Sequence, residues 1–149
     1  MAVIRSEISV KSPYYISKHR YLELKHFCLQ YPEWRVEVSK LNYFGSAGDG
    51  IRGSDPSKPV ERLADRRERY LKYMEMVEQS CLAADPDIFE WLLKAVTLGL
   101  SYETLSTLEI PCGRGYFYER YRKFFWHLDR VREKIPSYNE TMVLSQRRK

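Results

Sequence analysis

Residues 99–113 read Gly-Leu-Ser-Tyr-Glu-Thr-Leu-Ser-Thr-Leu-Glu-Ile-Pro-Cys-Gly and lie between two segments with helical periodicity. Gly99 is suited to end the first helix, because glycine tolerates the left-handed backbone angles found after helix C-termini. Ser101 can accept a hydrogen bond from the exposed amides that open the next helix. The Ile-Pro pair at 110–111 discourages that short helix from continuing. The stretch therefore predicts a helix end, a short helix and a turn.

The segment after the turn has the apolar periodicity of one long helix. Its apolar residues follow i, i+4, i+7, i+11, i+14 spacing, and they are Phe117, Tyr121, Phe124, Leu128 and Val131. On a helical wheel such a series covers about one third of the circumference, which is typical of a packed helix. A helix, a short helix, a turn and a basic helix form the order of a helix-turn-helix module. We predict this module over residues 86–134.

Composition excludes several broad classes of protein. The chain has 149 residues, 44% of them apolar, which is enough for one core. No apolar run approaches the roughly 18 residues of a membrane span. The first residues lack the long apolar centre of a signal peptide. Three cysteines without close pairing favour a reducing compartment, so we expect a cytoplasmic protein. The formal net charge of +5 permits a nucleic-acid partner without requiring one.

The predicted fold is all-α, a helical bundle with a C-terminal helix-turn-helix and a long flexible Gly-rich loop. Residues 1–44 form an N-terminal arm and a helical segment, in which Pro32 ends or bends the first helix. Residues 45–59 contain four glycines and two prolines without periodicity, which predicts a mobile linker or exposed loop. Residues 60–134 form the main helical domain, and residues 135–149 a basic tail.

Two helices are predicted within residues 60–98. The first runs from Val60 to about Ala83, with apolar residues on one face. Asp85 followed by Pro86 is a strong start signal for the second helix, because proline suits the first helical position. That second helix is apolar on nearly all sides. We therefore expect it in the middle of the bundle.

No residue pattern requires an enzyme, a cofactor or a metal. Residues 48–53 match G-x-G-x-x-G, but no strand precedes them and no helix opens directly after them, so a linker is the better interpretation. His19, His26 and Cys28 lack the spacing and the fourth ligand of a zinc site. The carboxylates and histidines are dispersed, and no catalytic set is evident.

The long helix carries most of the excess charge. Residues 113–134 contain seven basic and three acidic side chains, a net charge of +4. In a helix-turn-helix, early outward residues reach base edges, while flanking basic residues contact phosphates. The alternative interpretation is that the same residues form the solvent-exposed face of an ordinary bundle helix. We favour DNA binding because the Gly, Ser and Pro residues upstream mark the helix end, the cap and the turn of a helix-turn-helix. The predicted DNA-binding residues are Arg114, Gly115, Tyr118, Glu119, Arg122 and Lys123.

Trp126 falls opposite the apolar stripe of this helix. A large exposed aromatic side chain is more often an interface residue than a base reader. We expect the N-terminal helix, the linker or a second copy of the chain to cover it. A homodimer is therefore one of the expected arrangements.

Two stretches resemble phage proteins. Residues 98–105 (Leu-Gly-Leu-Ser-Tyr-Glu-Thr-Leu) and 110–128 (beginning Ile-Pro-Cys-Gly-Arg-Gly-Tyr-Phe-Tyr-Glu-Arg-Tyr) resemble the C-terminal module of phage late-gene transcriptional regulators of the RinA/ArpU type. Those modules are in turn similar to the promoter-reading region 4 of sigma factors. Residues 14–34 look like uncharacterised phage and prophage proteins of Gram-positive bacteria. The resemblance implies a phage-encoded DNA-binding regulator of transcription in the host cytoplasm.

One departure from the sigma-like pattern bears on the start of the long helix. Recognition helices of that type usually open with Ser or Thr, whereas this chain has Cys-Gly-Arg-Gly at 112–115. Two glycines weaken a first turn by about 1 kcal/mol each relative to alanine. Either the helix starts late, near Tyr116, or its DNA contact is altered.

Two hypotheses of function follow. The first is a transcriptional regulator that binds double-stranded DNA without a cofactor. The second is a helical factor that docks on a host protein, such as RNA polymerase or a defence nuclease, as anti-CRISPR-like inhibitors do. Twelve tyrosines and three tryptophans suit a protein interface. A packaging or assembly protein is a weaker third alternative.

Overall fold

The computed structural model describes residues 6–46 and 57–134, and all regular structure in those two ranges is helical. The six α-helices, with a short 3₁₀ turn at Pro86–Ile88 before α4, are α1 (Lys18–Leu29), α2 (Tyr31–Ser46), α3 (Ser57–Ala84), α4 (Phe89–Leu98), α5 (Tyr102–Ser106) and α6 (Arg114–Lys134). The all-α prediction is confirmed. Residues 47–56, most of the predicted linker, and residues 135–149, the predicted tail, lie outside the described ranges.

Helices α1 and α2 follow each other with one residue between them. Gln30 is the C-terminal cap of α1, and Pro32 lies in the first turn of α2, where a missing backbone N–H leaves no hydrogen bond unmade. Proline therefore separates the two helices, as predicted. Most of their buried side chains, including Tyr21, Phe27 and Trp34, belong to the same core as those of α3 to α6. The helical part of the N-terminal third is thus an integral part of the bundle.

Helix α3 is the longest element, with 28 residues, and it packs along both α2 and α6. Helix α4 has only 10 residues and contacts α1, α2, α3 and α5, which agrees with the central position expected for it. Leu92 and Val96 are buried, but Glu90, Lys94 and Leu98 are exposed, so one side of the helix faces solvent. The apolar composition of α4 therefore indicated its many neighbours but not its exposed side.

The junctions on either side of α4 follow the predicted local chemistry. The carboxylate of Asp85 accepts the N–H of Asp87 at 2.9 Å, and Pro86 occupies the first helical position. Gly99 has φ 69° and ψ 33°, the left-handed conformation of a helix terminator. Ser101 Oγ then accepts the N–H of Thr104 at 3.3 Å and caps α5.

Gly99 provides a stability test with an internal control. We expect Gly99→Ala to lower the free energy of unfolding by about 1 to 2 kcal/mol, because an L-residue is strained at this positive φ. Gly115 lies within α6 with open space around its Cβ position. We therefore expect Gly115→Ala to raise the same quantity by about 0.5 to 1 kcal/mol. Urea denaturation measures both, and equal effects would contradict the assigned backbone conformations.

The predicted apolar stripe of α6 faces the core. Phe117, Tyr121, Phe124 and Leu128 are at most 5% exposed, and Val131 packs at the edge. At the contact with α1, the hydroxyls of Tyr21 and Tyr121 share a hydrogen bond of 2.7 Å. Burial raises the pKa of both phenols far above the usual value of about 10.

These buried tyrosines predict a loss of stability in alkali. The raised pKa keeps both phenols protonated in the folded state, while the unfolded chain loses these protons above about pH 10. Each such tyrosine lowers the free energy of unfolding by about 1.4 kcal/mol per pH unit above that pH. We expect Tyr121→Phe to make this decline shallower by that amount. Urea titrations between about pH 9 and 11 measure it, and Tyr15→Phe, at an exposed position, is the control that should match the wild type.

Candidate nucleic-acid interface

Hydrogen bonds fix α5 against the start of α6. Tyr102, the first residue of α5, donates its hydroxyl to the carbonyl oxygen of Cys112 at 2.7 Å. Its backbone N–H donates to the hydroxyl of Tyr118 at 3.3 Å. Between the helices, Glu109 adopts a left-handed φ of 65°. The short helix and the long helix are therefore held in one fixed relation.

Helix α6 begins at Arg114, earlier than the alternative start near Tyr116. The carbonyl of Gly113 accepts the N–H of Phe117 at 3.0 Å, which makes Gly113 the residue before the first turn. Gly113 and Gly115 are both exposed, and no other atom lies within 4 Å of a Cβ built at either position. The backbone of the first turn is thus open to close approach by another molecule.

Three of the predicted DNA-binding residues are exposed on this first part of α6. Arg114, Gly115 and Glu119 all face solvent. The Arg114 side chain is 52% exposed, and its Nε lies 3.0 Å from a carboxylate oxygen of Glu103 on α5. The guanidinium also lies 5.0 Å from the centre of the Tyr118 ring. Arg114 is thus accessible and also oriented by two neighbours.

The prediction that Tyr118 projects outward is wrong. Its side chain is 6% exposed, and its ring packs 5.0 Å from Phe117 and 5.6 Å from Tyr121. The buried arc of α6 is wider than the apolar stripe indicated, because α1 packs against the side that carries Phe125. Tyr118 supports α5 and Arg114 from within the protein and cannot reach a base edge.

A segment before α1, residues 6–16, covers the next part of the same face; we call it the N-terminal segment. The carbonyl of Ser6 accepts a hydrogen bond from Arg122 Nη1 at 2.6 Å, and Ser6 Oγ accepts one from Arg114 Nη2 at 3.4 Å. Arg122 Nε is buried and has no hydrogen-bond partner among the described residues. Lys123 Nζ lies 5.9 Å from the centre of the Tyr14 ring. Arg122 and Lys123 are therefore only partly accessible.

Trp126 is covered by a residue that precedes the N-terminal helix, whereas the expected cover was that helix, the linker or a second copy of the chain. The covering residue is Tyr14, whose ring centre lies 5.7 Å from that of Trp126, and it precedes α1 instead of belonging to it. Arg130 lies over the indole at 3.3 Å from the ring centre. Because Trp126 is already packed, it is not the exposed aromatic residue that the sequence suggested.

Several contacts anchor the N-terminal segment to the bundle. Ile16 is 8% exposed, and Ile8 packs against the core cluster. The Glu7 carboxylate lies 3.5 Å from Lys25 Nζ and accepts a hydrogen bond from Tyr21. No sequence pattern indicates this arrangement, because the segment has no helical or strand periodicity.

The start of α6 is also anchored by a polar cluster that the sequence did not reveal. The Tyr116 hydroxyl donates a hydrogen bond to the carboxylate of Asp85, a residue that is 5% exposed. Arg120 Nε lies 3.4 Å from the same carboxylate. The hydrogen bond to Asp85 raises the pKa of Tyr116. The residue that caps the turn before α4 therefore also holds the first turns of α6.

Residues 6–46 and 57–134 contain no cluster of three or more His, Cys, Asp or Glu side chains suited to a metal ion. Cys28 and Cys81 are buried, and burial raises the pKa of both thiols. Cys112 is half-buried, and burial raises its thiol pKa as well.

No helix in the described ranges combines the length and the apolar character needed to cross a membrane. Comparison of the chain with protein-family models, with curated proteins and with solved structures finds no match.

Proposed function

We propose that the chain is a phage-encoded transcriptional regulator that binds double-stranded DNA through a sigma region 4-like helix-turn-helix. In this proposal α4 and α5 support α6, and the first turns of α6 enter the major groove. One observation supports it above the others: α5 is hydrogen-bonded to a long helix whose first turns expose Arg114, two glycines and Glu119. Residues 45–46 and 57–59 of the predicted linker belong to α2 and α3, and the proposal retains only the stretch between these helices as a flexible loop outside the DNA contact.

The exposed side chains have the chemistry of direct base readout. An arginine can donate two hydrogen bonds to O6 and N7 of guanine, and a glutamate can accept one from N4 of cytosine. Arg114 and Glu119 are assigned these roles. The open backbone at Gly113 and Gly115 suits a phosphate, because the first amides of a helix point outward at the positive end of the helix dipole.

Arg122 and Lys123 are assigned to the DNA backbone at the edge of the contact. Arg122 Nη1 donates to a main-chain carbonyl, and its Nε is buried without a hydrogen-bond partner among the described residues, so the Nε becomes a phosphate donor only after the covering segment moves. The N-terminal segment lies between these residues and solvent. Their contribution therefore requires that this segment shift or that the phosphate approach along its edge.

Fluorescence anisotropy with labelled duplexes of mixed sequence, at low salt, tests the proposal. We expect binding that weakens steeply as salt is added, because each neutralised phosphate releases counterions. A wild-type protein with no affinity for any duplex at low salt would falsify the proposed function.

Gly115 offers a test of close approach that leaves the fold intact. An alanine Cβ at this position meets nothing within the protein. We expect Gly115→Ala to weaken duplex binding by about 0.5 to 1.5 kcal/mol, as an added methyl group holds the helix away from the DNA, although the variant is more stable. Gly113→Ala, at an equally open position of the same contact, should weaken binding as well. Tighter binding by Gly115→Ala would exclude the assigned approach.

Docking on a host protein is a second candidate function. The observation in its favour is an apolar groove of about 350 Å³ between the start of α2 and α4. Its walls include Pro32, Phe89 and Leu98, and Leu98 is one of the most exposed large apolar residues. Affinity purification from host lysate after nuclease treatment separates the two candidates. A stoichiometric host protein retained there, together with absent DNA binding, supports docking.

A further inference from the structure

The first half of α3 carries three arginines on one side, Arg62, Arg66 and Arg69, which we call the arginine row. Their spacing of four and three residues places them along one face of the helix. All three are exposed. The same spacing continues through Tyr73, Met76 and Ser80, of which the last two are buried in the core. The same face of α3 therefore carries exposed arginines in its first half and buried core residues in its second half.

The change from exposed to buried residues along this face of α3 occurs where the described part of α6 ends. Helix α6 runs antiparallel to α3, because Tyr116 contacts Asp85 just after α3 and Arg132 lies 5.5 Å from the ring centre of Tyr73. Val77 and Cys81, which follow Tyr73 on α3, are fully buried. The arginine row lies on the other side of Tyr73, beyond the reach of residues 114–132.

The charge of the row is only partly offset by its neighbours. Among the residues whose side chains the structure describes, no carboxylate forms an ion pair with Arg62 or Arg66. Asp65 lies on the same side of α3, three residues after Arg62 and four before Arg69, but no ion pair in the described part of the chain joins it to the row. Arg69 lies 5.7 Å from the ring centre of Tyr70, and Glu68 pairs with Lys72 at 3.7 Å. Residues 62–72 carry five basic and two acidic side chains, so this part of α3 is a positively charged surface.

We propose that the arginine row binds the phosphate backbone of double-stranded DNA as a second contact, separate from the start of α6. The row spans about 10 Å along the helix axis, and one DNA strand presents a phosphate about every 3.4 Å of its axis. Arginine suits this ligand because its planar fork can bind a phosphate through two hydrogen bonds. The inference rests on the proposed function for the identity of the polyanion.

The two contacts lie far apart on the protein. The helical rise from Arg114 to Arg132 is about 27 Å, and that from Tyr73 back to Arg62 is about 16 Å. The separation along the bundle is therefore about 40 Å, the length of about 12 base pairs. A duplex of about 30 base pairs is long enough to reach both.

The test measures how duplex affinity depends on salt for matched variants of the full chain. One variant removes the row (Arg62→Ala, Arg66→Ala, Arg69→Ala). The control removes the same charge from exposed positions elsewhere (Lys18→Ala, Arg35→Ala, Lys94→Ala). Both sets are at the surface, so circular dichroism should show an unchanged fold.

We expect the row variant to reduce the slope of log K against log salt by about 2 to 3, since each lost phosphate contact removes about 0.9. The control should change it by less than about 1. Equal changes in both variants would overturn the inference and indicate an effect of net charge alone. A row variant that binds DNA like the wild type would also overturn it and would leave an acidic protein as the partner of the row. If the row variant loses affinity while Arg114→Ala does not, the row stands and the α6 site fails. If the wild-type protein binds no duplex, both the contact by the arginine row and the contact at the start of α6 are refuted.

Discussion

Phe117→Ala is expected to lower the free energy of unfolding by about 3 to 5 kcal/mol. Phe117 has 0% exposure at the junction of α5 and α6. Its ring centre lies 5.7 Å from that of Tyr102 and 5.9 Å from that of Tyr121. Truncation leaves a cavity between aromatic rings that hydrogen bonds hold in place, so the site cannot collapse to fill it.

Chemical denaturation followed by circular dichroism measures this loss. Leu108→Ala is a suitable control, because Leu108 lies just after α5 and is 47% exposed. It should change the free energy of unfolding by less than about 1 kcal/mol. A cost below about 1.5 kcal/mol for Phe117→Ala would be inconsistent with an enclosed ring and with α6 packed as described.

The double substitution Arg114→Ala with Arg122→Ala is expected to weaken duplex binding by about 2 to 4 kcal/mol, on the order of 30- to 1,000-fold. Most of that loss should come from Arg114, because its guanidinium is accessible, whereas Arg122 already donates to the Ser6 carbonyl. The exposed pair of Arg114 with Glu103 contributes little to folding. Stability should therefore change far less than affinity.

A double control separates this site from general charge. Lys18→Ala with Lys94→Ala removes two positive charges from exposed positions on α1 and α4. We expect it to weaken binding by well under 1 kcal/mol at physiological salt, where charges far from the DNA are largely screened. Equal losses in the two double variants would mean that α6 makes no localised contact.

Local chemistry made much of the fold predictable. The left-handed conformation of Gly99, the cap at Ser101 and the Asp-Pro start before α4 depend only on neighbouring residues. The side of α4 that stays exposed depends on distant elements, so the composition of the helix did not reveal it. The prediction that Tyr118 projects outward failed for a related reason. Periodicity defines the apolar stripe of a helix but does not reveal how many neighbours pack on either side of that stripe.

The candidate site was predictable only at its start. Arg114, Gly115 and Glu119 are exposed as predicted, although Arg114 also contacts Glu103, Tyr118 and Ser6. Arg122 donates to the main-chain carbonyl of Ser6. Any residue at position 6 can supply that carbonyl, so the sequence does not mark the contact. The role of Asp85 in holding Tyr116 likewise joins residues 31 positions apart, and no sequence pattern marks that pairing.

Backbone amide chemical shifts, followed by nuclear magnetic resonance during titration with a duplex of about 30 base pairs, test DNA recognition by α6 most directly. We expect the largest changes at Gly113, Arg114, Gly115 and Glu119, with the Ala95 and Leu98 amides of α4 unaffected. Changes confined to α4 and the start of α2, or no changes at low salt, would contradict DNA recognition by α6.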